Sequence, residues 1–122
     1  MKSILIVDDS ETTRSIIKSS IEEIDDIDIF EAPTGFEALR MLPTQSFDLV
    51  FIDINMPDIN GLELINFIKN NDKYKKIPII IVSTESSEED RKKGLALGAL
   101  AYLTKPFKGE ELIDTVKKAL SL

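Results

Sequence analysis

Five short apolar runs, each closed by a polar or charged residue and separated by amphipathic stretches, constrain this chain more than any other feature. The runs are Ile4–Val7, Ile27–Phe30, Leu49–Ile52, Ile79–Val82 and Ala101–Leu103. Runs this short, bounded by polar punctuation, read as buried strands. Little polar alternation interrupts them, which suits a parallel sheet covered on both faces. The stretches between them read as helices. Ile16, Ile17, Ser20, Ile21 and Ile24 keep one stripe on the first; Leu62, Leu64, Ile65 and Ile68 do so on the third. Leu112, Ile113, Val116, Ala119 and Leu120 form the stripe of the fifth. Thr34 with Glu37, Asn60 with Glu63 and Ser86 with Glu89 resemble capping pairs, and Gly94 and Gly98 resemble stop signals for the fourth helix.

The order is therefore βαβαβαβαβα. Such alternation implies right-handed crossovers and a doubly wound α/β sandwich. A chain of 122 residues fits one domain over 1–122. In such sheets ligands sit beyond the carboxyl ends of the strands, which directs attention to the residues that close the runs.

Composition removes several chemistries. The chain has no cysteine and no histidine, so thiolate chemistry, a Ser-His-Asp triad, a phosphohistidine and any His- or Cys-ligated metal are excluded within it. A formal net charge of −7 argues against direct nucleic-acid binding. No apolar run approaches the ~20 residues of a membrane span. The expectation is a cytoplasmic protein without membrane insertion.

The closing residues are Asp8 and Asp9 after the first run, Asp53 after the third, Ser83 and Thr84 after the fourth, and Thr104 and Lys105 after the fifth. Each has an ordinary explanation alone. Asp8-Asp9-Ser10 would cap the first helix, Asp53 would form a turn, Ser83 and Thr84 would cap the next helix, and Lys105 would be a solvated charge. Together they read differently. Carboxylates crowded at one rim repel one another, and the remedies are a raised pKa or a cation. Oxygen donors alone select a hard ion, Mg²⁺ or Mn²⁺. A carboxylate beside such an ion is a candidate nucleophile toward phosphorus, with Lys105 supplying further positive charge and Ser83 a hydrogen bond.

This pattern resembles the response-regulator receiver domains, in particular the stand-alone chemotaxis (CheY-like) type. The resemblance covers about residues 3–120 and rests on four segments in order: Ile4-Leu5-Ile6-Val7-Asp8-Asp9-Ser10, Asp53 through Gly61, Val82-Ser83-Thr84-Glu85 and Lys105-Pro106-Phe107. It implies a flavodoxin-like (βα)5 fold with a five-stranded parallel sheet in the order 2-1-3-4-5. It further implies that Asp53 is the phospho-acceptor and Asp9 a direct metal ligand, with Asp8 acting largely through water. Asn55 would offer its backbone carbonyl to the metal, and Lys105 would pair with the phosphate. Ser83 matches the switch position and Tyr102 its aromatic partner, filling space that the Ser83 loop vacates. Asn55 and Glu85 would tune dephosphorylation, and the Lys105-Pro106 bond would be cis.

The implied partners are a histidine kinase as phosphodonor and a downstream protein that meets the fourth helix, fifth strand and fifth helix. Arg91, Lys92, Lys93, Lys117 and Lys118 on that face either match an acidic partner or are solvated. A chemotaxis or motility messenger is the leading role, without turnover of a separate substrate. A phosphorelay intermediate and the receiver part of a larger transcriptional regulator are the alternatives. A haloacid-dehalogenase-type phosphatase fits less well, because Asn55 stands where that chemistry needs an acid. A flavodoxin-like phosphate loop is opposed by Asp8-Asp9-Ser10-Glu11, which repels anions.

Overall fold

The computed structural model describes residues 1–84 and 87–122. Its elements run β1 (Lys2–Val7), α1 (Glu11–Ile21), β2 (Ile27–Ala32), α2 (Gly35–Met41), a 3₁₀ turn (Leu42–Thr44), β3 (Leu49–Ile52), α3 (Gly61–Lys69), β4 (Ile79–Ser83), α4 (Glu88–Ala96), β5 (Ala101–Thr104) and α5 (Gly109–Ala119). The strands form one sheet in the order β2-β1-β3-β4-β5, with every pairing parallel. This is the expected doubly wound arrangement.

Side chains alternate across the sheet and build two cores. Leu5, Val7, Val50, Ile52, Ile79 and Ile81 face α2 and α3, meeting Ala38, Leu64, Ile65 and Ile68. Ile4, Ile6, Leu49, Phe51, Ile80 and Val82 face α1 and α5, meeting Ile17, Ile21, Leu112 and Val116. Every residue of β3 and β4 is buried, which is why these strands read as continuous apolar runs. Each fully buried aliphatic side chain contributes about 1.5–3 kcal/mol.

The helix starts follow the expected chemistry with one displacement. Thr34 Oγ1 accepts from Glu37 N at 3.1 Å, and Asn60 Oδ1 accepts from Leu62 N at 2.7 Å. The cap of α4 is Ser87, whose Oγ accepts from Asp90 N at 3.2 Å, one residue beyond the expected Ser86; Ser86 lies outside the described residues. Two further expectations change. Gly94 lies inside α4, where a Cβ would run into the Ile81 Cδ1 methyl, so its role is close packing. Gly98 has φ +113° just past the helix, the backbone that a helix stop of this kind requires. Ile16 is 49% exposed, and Thr13, Ile17 and Ile21 form the buried face of α1 in its place.

Candidate functional site

Parallel strands all deliver their carboxyl ends to one edge, so residues far apart in sequence meet there. Asp8 follows β1 and its N–H donates to Ala32 O at 3.1 Å; Asp53 follows β3 and its N–H donates to Val7 O at 3.0 Å. These backbone bonds continue the sheet and fix both acids side by side. Asp8, Asp9 and Asp53 each present a carboxylate oxygen within 4.8 Å of the others. Asp8 and Asp53 are buried and Asp9 is exposed.

Lys105 closes the group from β5. Its N–H donates to Ser83 O at 2.8 Å, its Nζ lies 3.0 Å from Asp8 Oδ2 and 3.7 Å from Asp53 Oδ2, and the Lys105-Pro106 bond is cis. Asp8 Oδ1 takes the Ser10 N–H at 2.8 Å, while Ser10 Oγ caps α1 by accepting from Thr13 N. Both carboxylate oxygens of Asp8 therefore already accept from protein donors. Asn55 N donates to Asp53 Oδ1 at 3.4 Å, which holds the following loop against the acceptor carboxylate. A side chain at Gly61 would collide with the Asp53 carbonyl, so only glycine lets α3 start this close.

Electrostatics follow from this crowding. Burial, the largest influence, and the charge of Asp8 push the Asp53 carboxyl up to about 6, against the opposing pull of Lys105 and of the Asn55 N–H. A carboxyl in this state remains mostly ionised at neutral pH. The anionic charge and the oxygen-only donors fit a hard divalent cation, and a chain without His or Cys offers no softer set.

Ser83 is fully buried at the end of β4, paired in register with Thr104. Tyr102 lies one strand further out, 4% exposed, with the Arg91 guanidinium 5.9 Å from its ring centre. Its ring already lies under α4, where a Cβ on Gly94 would sit 3.6 Å from Tyr102 Cδ2. Glu85 falls outside the described residues. Beside Lys105 a shallow apolar cleft of about 270 Å³ is lined by Thr13, Ile16, Thr84, Pro106 and Phe107.

Sequence reasoning missed two residues around this edge, Arg14 and Asp58. Arg14 of α1 donates to the Asp8 carbonyl at 2.6 Å and to Glu31 at 3.0 Å. Asp58 accepts from Gly35 N at 3.2 Å and Phe36 N at 2.9 Å, which binds the loop after β3 to the start of α2. These N–H bonds, that of Phe36 foremost, lower the Asp58 pKa. Backbone contacts of this kind leave no spacing pattern. The only sequence signal is the run of free N–H groups at a helix start, which seeks an acid.

Comparison with known proteins agrees with this geometry. Residues 4–117 match the response regulator receiver domain family. Chemotaxis protein CheY1 of Helicobacter pylori is 36% identical over 118 residues, spanning 96% of this chain and 95% of that protein. The structure of chemotaxis response regulator CheY4 of Vibrio cholerae has a TM-score of 0.88 at 33% identity, covering 98% of this chain and 99% of that one. The Mn²⁺-bound form of response regulator Rcp1 has a TM-score of 0.84 at 26% identity, covering 100% and 94%. A match of this extent, on this fold and this acidic edge, settles the family: the chain belongs to the response regulator receiver domains.

Proposed function

We propose that this chain, one receiver domain over 1–122, is a CheY-like signalling switch that accepts a phosphoryl group on Asp53. The observation that carries this reading is the meeting of Asp8, Asp9 and Asp53 within 4.8 Å, with the Lys105 ammonium beside them. One Asp53 carboxylate oxygen attacks the phosphorus of a phosphohistidine on a donor kinase. The P–N bond breaks, its electron pair stays on the imidazole nitrogen, and the chain gains an acyl phosphate. Asp8, Asp9, Asp53 and the Asn55 carbonyl would hold Mg²⁺, or Mn²⁺ as in the Rcp1 relative. When bound, that ion supplies positive charge against the phosphoryl oxygens.

The chain's own groups do the rest. Lys105 turns from its carboxylate partners to a phosphoryl oxygen, and the Ser83 hydroxyl donates to another. Both residues are joined through the Lys105 N–H to Ser83 O bond, so they respond as one unit. Tyr102, whose ring lies under α4, and α4 itself carry the change to a downstream protein at the α4–β5–α5 face. Only a difference in phosphoryl binding between two arrangements shifts their populations. The likeness to CheY1 and CheY4 supports a chemotaxis messenger in the cytoplasm. Among the described residues no helix is long and apolar enough to cross a membrane.

Mass spectrometry of the intact protein after acetyl phosphate and Mg²⁺ tests the reading. One added phosphoryl group is expected on the wild type, with none on Asp53→Asn and none in EDTA. Equal labelling of Asp53→Asn would contradict it.

A further inference from the structure

Beyond the acids and Lys105, one largely buried cation reaches the site from behind. The Arg14 side chain is 14% exposed and projects from the second turn of α1. Its Nη1 donates to the Asp8 carbonyl at 2.6 Å, and its Nε donates to Glu31 Oε1 at 3.0 Å. Glu31 Oε2 takes Lys18 Nζ at 3.2 Å. Burial raises the Glu31 pKa, but the hydrogen bonds from Lys18 and Arg14 outweigh it and leave that carboxyl below its ordinary value. One planar guanidinium thus joins the end of β1, helix α1 and strand β2.

The carbonyl that Arg14 holds belongs to the rigid peptide between Asp8 and Asp9. Fixing its direction fixes the plane of that peptide, which together with the φ angle of Asp9 limits the directions in which the Asp9 side chain leaves the backbone. The Asp8 side chain is already held by Ser10 N and Lys105. Asp9 is exposed at the rim, with a carboxylate oxygen within 4.8 Å of those of Asp8 and Asp53. We infer that Arg14 is a positioning residue for the cation site, which orients the Asp8–Asp9 peptide so that the Asp9 carboxylate faces those of Asp8 and Asp53. This rests on the reading of the three acids as a cation site given above.

Charge and position make opposite predictions here. A cation near a cation site weakens binding, so if Arg14 acted only through its field, removing its charge would tighten the ion. Lysine keeps the charge but lacks the fork that spans Asp8 O and Glu31 together. If Arg14 acts by position, Arg14→Lys and Arg14→Met both weaken binding. Loss of a partner that orients a metal ligand typically costs 10–100-fold in affinity, and about tenfold is expected here because Arg14 acts through the backbone.

Mn²⁺ affinity of the purified chain, measured by loss of the free-ion electron paramagnetic resonance signal, is the test. Thermal melts in EDTA establish that each variant is folded at the working temperature. The expected result is a dissociation constant raised about tenfold in both Arg14 variants. Wild-type affinity, within twofold, in Arg14→Lys overturns the inference, as does tighter binding in Arg14→Met. If the wild type itself fails to bind Mn²⁺, the cation-site reading fails first and this inference with it, an outcome distinct from equal affinities. Should both Arg14 variants unfold, Glu31→Gln loosens the guanidinium with no substitution in α1. About threefold weaker binding is then expected, and unchanged binding overturns the proposal.

Discussion

Helices α3 and α4 have nine residues each and lie on the same side of the sheet, yet they are held in different ways. Helix α3 buries Leu64, Ile65 and Ile68 completely, and Lys69 at its end donates to the carbonyls of Lys75 and Ile77. Helix α4 buries only Gly94. Among the described residues its side-chain ties include the Ser87 cap, the exposed Lys93–Glu89 pair, and an Arg91 that reaches the Tyr102 carbonyl at 3.4 Å and lies 5.9 Å from its ring centre. Three buried aliphatic side chains hold α3 by roughly 5–9 kcal/mol in all, and α4 has no such contribution. Local stability follows buried apolar contact, so α4 belongs to the part of the molecule that rearranges at small free-energy cost. The acceptor loop rests on the anchored helix; the surface proposed to signal includes the loosely held one.

The comparison is most exposed at Leu64. Leu64→Ala is expected to destabilise the protein by about 3 kcal/mol in chemical denaturation followed by circular dichroism, because it opens a cavity in a closed core. A loss below 1 kcal/mol would remove the claim that α3 is the anchored element. The same ledger can be read with opposite sign at Asp53, where burial opposes a charge. Its carboxyl titrates near 3.8 unfolded and about 6 folded, so the folded state binds the proton more tightly and the ionised group destabilises it above pH 6. Asp53→Asn should therefore stabilise the protein in EDTA by about 2 kcal/mol at pH 7.5, with the gain shrinking as pH falls from 6 toward 4. A gain that grows on acidification would reverse that sign.

Smaller effects belong to α4. Ser87→Ala should cost about 1 kcal/mol through the lost cap. Much of that loss should appear as faster amide exchange within Glu88–Ala96, without a comparable change in Gly61–Lys69. Lys93→Ala should change global stability by less than about 0.5 kcal/mol, since both partners of its ion pair are largely solvated. A larger loss would mean that α4 is held by charge where apolar contact is absent.

What was legible in the sequence divides along similar lines. The strands were visible because β3 and β4 are buried on both faces and leave no polar alternation. The strand order was implied by family resemblance, since apolar runs do not say which strand lies beside which. Asp8, Asp9, Asp53 and Lys105 were legible because each ends a strand, and parallel topology carries such residues to one edge. The cap of α4 slipped by one residue because Ser86-Ser87 followed by Glu88-Glu89-Asp90 offers two equivalent pairs. Gly94 read as a stop signal because a glycine required by a neighbour's methyl group looks the same in sequence as one required by a turn. Arg14 was missed for a related reason: its partners are a backbone carbonyl and an acid on another strand, and neither leaves a spacing.

The claim that joins these observations is that a phosphoryl group on Asp53 is read out through the helix least tied to the core. Hydrogen exchange with peptide-level mass spectrometry, on wild type and Asp53→Asn with and without acetyl phosphate and Mg²⁺, measures this directly. The account predicts altered exchange in Glu88–Ala96 and Ala101–Thr104 of the phosphorylated wild type, little change in Gly61–Lys69, and none in Asp53→Asn. Equal changes in α3 and α4, or the same α4 change in Asp53→Asn, would contradict it.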